Sequence, residues 1–181
     1  MKKFGEAHPV IHIVILFVIG VLFAGVVGGI LNVLGFDNNV SGSIARILIG
    51  IVFLVIHYKK FKFGHSFKGL VVMLPVLLLA IYKIPYHYIS GGGTPNAVTV
   101  PILIIGLAPA IFEEILFRGI LVFNLKKKLD NPIAIVFISA LVFSLVHLTN
   151  IMGMDLISLL VQLIMAFVTG VVLGAVYLKT G

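Results

Sequence analysis

A bundle of membrane-spanning α-helices is the fold class this sequence predicts, and three observations predict it. The 181 residues are 61% hydrophobic and only 10% charged, against roughly 45–50% and about 25% in ordinary soluble domains. The mean hydropathy is +1.25. The apolar residues fall in runs of membrane length, and most charges fall between the runs. A soluble domain of this size would lack the charges to cover its surface.

A spanning helix needs about 20 apolar residues, within a range of roughly 17–25. Six segments are read as spans: Pro9 to Gly35, Ser43 to Tyr58, Phe67 to Lys83, Val98 to Phe123, Pro132 to His147 and Leu156 to Leu178. The second and fifth are short, so they either stand with little tilt or extend into their flanks. Continuous helices are the expectation, because lipid offers no partner to an unpaired backbone amide. No internal repeat, low-complexity stretch or linker divides the chain, so residues 1–181 read as one integral membrane domain.

Orientation follows from the bias of Lys and Arg in short loops. With the N-terminus cytoplasmic, the inner set holds Lys2, Lys3, Lys59, Lys60, Lys62, Lys68, Lys126, Lys127, Lys128 and Lys179, ten of the 13 basic residues. Arg46 and Lys83 fall near the outer side, and Arg118 falls within a span. Both termini are therefore expected in the cytoplasm, in a multi-pass protein of the cell membrane. The outer segments Phe36 to Gly42 and Ile84 to Asn96 are rich in Gly, Asn and Pro and read as turn-forming connectors. Tyr82, Tyr86 and Tyr88 would form an interfacial belt, and Gly91 to Gly93 read as a flexible loop without the Lys of a phosphate cradle.

Composition also excludes chemistry. There is no cysteine, which removes disulfides, thiolate metal sites and thiol nucleophiles. The net charge of +7 invites a nucleic-acid reading, but the charges lie in loops between apolar runs. Membrane lipid is the expected partner and nucleic acid is not. No cleavable signal peptide is evident, since the first apolar run is too long and no small-residue cleavage pattern ends it.

Against this background the fourth span reads Pro109-Ala-Ile-Phe-Glu113-Glu114-Ile-Leu-Phe-Arg118-Gly119. Glu113 lies about 11 residues from the inner end near Asn124, roughly 16 Å deep at 1.5 Å per residue. Ionisable groups at such depth cost about 2.5–3.5 kcal/mol each on insertion scales, and by default they mark a functional site. Glu114 and Arg118 stand at i and i+4 and can pair along one face. Glu113 is turned about 100° away, free to point into the bundle. The competing structural role is a buried ion-pair group that only fixes packing, although such groups are poor stabilisers.

The fifth span contributes Phe143-Ser-Leu-Val-His147. His147 lies about 15 residues from Pro132, roughly 22 Å from the inner face. The short loop Asn124 to Asn131 makes the two spans an antiparallel hairpin. Side chains tilt toward a helix's N-terminus, so Glu113 tilts outward and His147 inward across a nominal offset of about 6 Å. A carboxylate and an imidazole meeting in a half-buried pocket can share and polarise a water.

Glu113-Glu114-x-x-x-Arg118 followed by Phe143-x-x-x-His147 resembles the first two motifs of the CAAX-protease and bacteriocin-processing (CPBP, or Abi) family of intramembrane endopeptidases. The resemblance covers about Pro101 to Gly181; the first three spans match only in being apolar. It implies hydrolysis of a peptide bond in a membrane-associated peptide or protein, without cofactor, with Glu113 as general base, His147 as its partner, and Glu114 and Arg118 supporting the site. Bacteriocin maturation or self-immunity is the setting it suggests.

The family's third motif, His-x-x-x-Asn or His-x-x-x-Asp, is thought to bind the scissile carbonyl and its oxyanion. No histidine here has Asn or Asp four residues on, and Tyr177-x-x-Thr180-Gly181 resembles the lead-in to the helix that carries it. A chain ending at Gly181 would hold the water-activating half alone. The alternative function is then a non-catalytic membrane immunity or binding protein. Asn150, one turn beyond His147, is a further candidate to line the site.

Other readings rank lower. Catalytic zinc usually takes three protein ligands, whereas Glu113, Glu114 and His147 offer two or three, so no metal is assigned. A proton or ion pathway uses such residues too, but would predict broken helices and symmetric halves. Gly20, Ala24, Gly25, Gly28 and Gly29 permit close helix contact. Gly170 and Gly174 form a Gly-x-x-x-Gly pattern that suits packing better than dimerisation, which leaves the oligomeric state open. Gln162 either lines the cavity or bonds a neighbouring helix. His57 and His65 read as solvated residues of a basic loop.

Overall fold

The computed structural model describes residues 2–57 and 108–180. Its regular structure among these residues is helical, with no strand. In chain order the helices are α1 (Lys2–Ala7), α2 (Pro9–Val33), α3 (Asn38–His57), α4 (residues 108–125), α5 (Pro132–Leu145) and α6 (Leu156–Thr180), and α5 runs on as a tighter 3-10 segment, Val146–Met152. Four stretches are long and apolar enough to cross a membrane: Pro9–Val33, Asn38–His57, Pro132–Met152 and Leu156–Thr180. Several sequence expectations lie outside the described residues. They are the span Phe67 to Lys83, the beginning of the span at Val98, the connector with its tyrosines and glycine run, and the Lys59 to Lys68 loop with His65.

Each helix end has a local cause. Pro9 opens α2, where its missing N–H costs nothing. At the other end Gly35 adopts φ +91°. This lets Gly35 N donate to Asn32 O (3.0 Å) and Phe36 N to Leu31 O (3.1 Å), the paired bonds that close a helix with glycine. The connector expected over Phe36 to Gly42 is shorter than predicted. Asp37 accepts from Asn39 N (2.8 Å) and Val40 N (3.3 Å) and so starts α3 at Asn38, within that segment. Asn131 caps α5 in the same way, accepting from Ile133 N at 2.9 Å and Ala134 N at 3.3 Å. Asp155 accepts from Ser158 N at 3.0 Å at the head of α6, and the Ser158 hydroxyl and amide hold its carboxyl below the ordinary range.

Both short spans gain length from their flanks, α3 by beginning earlier and α5 by its 3-10 continuation. The outer faces stay apolar: Leu22, Val26, Val55, Ile157 and Ile164 are all exposed, as lipid-facing positions are in a bundle of this composition. The core gathers Ile13 and Leu16 of α2, Ile49 and Phe53 of α3, Phe112 to Leu125 of α4, and Ile135, Val142 and Phe143 of α5. Close approach depends on glycine at two crossings. A Cβ on Gly20 would stand 2.4 Å from the Phe112 ring, and one on Gly170 would stand 2.9 Å from Ala140 Cα. The Gly-x-x-x-Gly pattern thus packs α6 on α5 within one chain.

At the lysine-rich end of α4, Lys127 pairs with Glu6 at 2.5 Å and Lys128 donates to the Ala7 carbonyl, so α1 docks beside the 126–128 loop. His57 departs from expectation. It is 7% exposed because α3 continues through it, its Nδ1 lies 3.1 Å from Phe53 O, and its ring meets that of His12 at 5.9 Å.

Candidate active site

Helix α4 carries the acidic pair, and its position is set from both sides. Phe112 lies over Gly20, stacks on Phe53 at 6.2 Å and meets Phe17 at 6.5 Å. Opposite, Phe117 meets Phe143 edge-on at 5.1 Å, and Ser139 Oγ donates to Phe117 O at 3.4 Å. Residues 108–114 are α-helical, but Ile115–Val122 form a wider π-helix before the α-turn Phe123–Leu125. A regular α-helix was the expectation here. The wide turn leaves no Pro signature in the sequence, and π-turns within helices occur frequently at functional sites.

Arg118 sits inside that wide turn. Its NH1 lies 3.1 Å from Glu114 Oε1, with side-chain exposures of 3% for Arg118 and 44% for Glu114. The guanidinium also lies 4.7 Å from the centre of the Phe143 ring, a cation–π arrangement. Among the described residues its nitrogens make no hydrogen bond, and Glu113 is a second carboxylate within electrostatic reach.

Glu113 faces another way. Together with Arg46, Val146, His147, Asn150 and Gln162 it lines a cavity of about 580 Å³ whose remaining wall includes Phe17, Gly20, Val21, Ala24 and Gly25 of α2. The α2 wall is apolar, with Gly20, Ala24 and Gly25 beside Phe17 and Val21, and the facing wall carries the polar groups. The Glu113 carboxylate lies within electrostatic reach of His147, Arg118 and Arg46. His147 Nδ1 lies 2.9 Å from Phe143 O. A carbonyl can only accept, so Nδ1 carries the proton and Nε2 of the neutral ring is left with a lone pair. Asn150 Nδ2 donates to Gln162 Oε1 at 3.0 Å, tying the 3-10 end of α5 to α6 across the cavity wall.

The structure therefore brings Glu113 and His147 to one cavity, with Glu114 and Arg118 paired behind Glu113 and outside the cavity lining. Asn150 and Gln162 both line it. Arg46 is the lining residue that sequence reasoning passed over. Its signal was present, as an arginine inside a predicted span, but its place near one end assigned it to the membrane surface. Among the described residues no three His, Asp or Glu side chains converge as a metal-ligating group.

Residues 95–181 match the model of the family described as type II CAAX prenyl endopeptidase Rce1-like. This stretch is Rce1-like. The family is one of CAAX-type peptide hydrolases of membranes, and the acidic pair, Arg118 and His147 all fall within the matched residues. Residues 1–94, with Arg46, lie outside the match. No curated protein and no solved structure matches the chain.

Proposed function

We propose that the protein is an intramembrane endopeptidase that cleaves a membrane-associated peptide or protein by water attack, with Glu113 as general base and His147 as its partner. The observation that supports this most is the shared cavity of about 580 Å³ lined by both side chains. The chemistry needs no side-chain nucleophile. A water donating to the Glu113 carboxylate and to His147 Nε2 gives a proton to Glu113 as its oxygen bonds the scissile carbonyl carbon. The tetrahedral oxyanion collapses, the C–N bond breaks, and the proton passes to the departing amine. Products are a carboxylate and an amine.

Two further features fit the reaction. The Glu114–Arg118 pair links the α-helical turn that carries Glu113 to the wide turn after it. Gln162 spends its carbonyl on Asn150, which leaves its amide N–H groups, and the second one of Asn150, as donors for a carbonyl oxygen. The apolar wall of α2 offers a surface for an extended apolar segment. Bacteriocin maturation or self-immunity is the biological setting we assign, on the family resemblance.

The test is cleavage of quenched apolar peptides by the full chain in lipid nanodiscs. Loss of cleavage in Glu113→Gln and in His147→Ala, with insertion and expression unchanged, supports the reading. An immunity phenotype that survives both substitutions favours the non-catalytic binding role instead.

A further inference from the structure

Arg46 is the one cation among the described residues that lines this cavity as a permanent charge, and it comes from α3, outside the matched stretch. Among the described residues no carboxylate lies within ion-pair distance of it, whereas Arg118 has Glu114 and Lys127 has Glu6. Arg46 is an exposed residue overall. Its side chain folds back one turn along α3 toward Gly42, so that a Cβ there would stand 3.2 Å from NH1, and Gly42 and Arg46 line the cavity together. Arg46 lies on the wall of the cavity that holds Glu113 and His147.

A guanidinium binds a carboxylate well, because its fork of N–H donors matches two oxygens. Glu113 is the carboxylate the cavity already contains, and although Arg46 is within electrostatic reach of it the two form no ion pair. We infer that Arg46 is the specificity-determining residue of the cavity and binds a carboxylate of the substrate peptide, either its C-terminal α-carboxylate or an acidic side chain near the scissile bond. The inference rests on the reading of the cavity as a peptide site. It adds that anionic peptides are selected by a residue of the N-terminal part of the chain.

The experiment uses the full chain carrying Glu113→Gln, in phosphatidylcholine nanodiscs, so that binding is measured without turnover. Three dye-labelled ten-residue apolar peptides are compared by fluorescence anisotropy: one with a free α-carboxylate, one amidated with a single internal Glu, and one amidated and neutral. At least one acidic form is expected to bind about tenfold more tightly than the neutral form, and which one does so names the source of the carboxylate. Adding Arg46→Gln should erase the difference, while Arg46→Lys should keep part of it. Equal binding of all three peptides overturns the inference, as does an equal loss for all three on Arg46→Gln. A response of Arg46 variants only to added phosphatidylglycerol, with no difference between peptides, assigns the residue to lipid and overturns it as well. Cleavage of the same peptides by protein with Glu113 intact is scored separately. Carboxylate preference without any cleavage would overturn the endopeptidase reading and leave Arg46 in its role.

Discussion

Arg118 and Glu114 form an ion pair of unequal burial: at 3.1 Å separation the guanidinium is almost wholly enclosed while the carboxylate remains nearly half exposed. Removing either partner strands the other, and the stranded group differs. Glu114→Gln leaves a buried cation without its ion-pair partner, and breaking a buried pair in this way costs about 3–5 kcal/mol. Arg118→Met removes the enclosed charge, fills the vacated space with apolar volume and leaves the half-exposed carboxylate. Thermal unfolding in detergent should therefore rank Glu114→Gln below Arg118→Met. The reverse order would show that Glu114, not Arg118, is the group that depends on the pair.

Glu113 and His147 share a cavity but sit on different helices, so their substitution separates chemistry from packing. Glu113→Gln keeps shape and should lower the cleavage rate about 10²–10⁴-fold, the usual worth of a general base, with the unfolding midpoint unchanged. His147→Gln should fall in the same range. The double variant should be no slower than the worse single one, because residues acting as a unit are not additive. Single-turnover rates on a quenched peptide decide this, and multiplied losses in the double variant would mean that the two act independently.

Much of this arrangement was legible from residue spacing, and the exceptions have physical reasons. Glu114 and Arg118 at i and i+4 pair as spacing alone requires, and the wide turn beginning at Ile115 does not undo it. The early start of α3 was encoded in Asp37, a capping residue whose Asn- and Gly-rich surroundings read more strongly as a turn. The π-turn at Ile115–Val122 was not legible, because no Pro marks it and packing of Phe117 and Arg118 against Phe143 accompanies it. His57 was misread through its neighbours: the lysines after it suggested a solvated loop, whereas it is the last residue of α3 and is buried there. Arg46 was assigned to the membrane surface for a different reason. Which wall a residue lines depends on how α3 meets α4, and no local pattern reports that.

The Asn150–Gln162 bond makes a prediction about the carbonyl-binding side of the cavity. If the Gln162 amide steadies the developing oxyanion, Gln162→Ala should reduce kcat about 10²–10³-fold with little change in KM. Gln162→Glu should be as damaging, since a carboxylate accepts but does not donate. Asn150→Ala, which frees the Gln162 amide without removing it, should cost less. A loss confined to KM in all three variants would instead make this pair a binding surface with no part in the chemical step.

The two glycines of the Gly-x-x-x-Gly pattern in α6 look equivalent in sequence and are not equivalent in the fold. A Cβ on Gly170 would stand 2.9 Å from Ala140 Cα, whereas one on Gly174 would meet Val136 Cγ1 at 3.5 Å, an ordinary contact. Alanine gains up to about 1 kcal/mol over glycine from helix propensity, and overpacking costs about 1–3 kcal/mol. At Gly174 the first effect stands almost alone, so Gly174→Ala should be neutral or stabilising. At Gly170 the contact is with backbone and cannot be relieved by a rotamer change, so α5 and α6 must separate and Gly170→Ala should lower the unfolding midpoint. The same measurement on mixed wild-type and tagged protein tests the other use of the pattern: unchanged self-association in Gly170→Ala supports packing within the chain, and its loss would place Gly170 at a dimer contact.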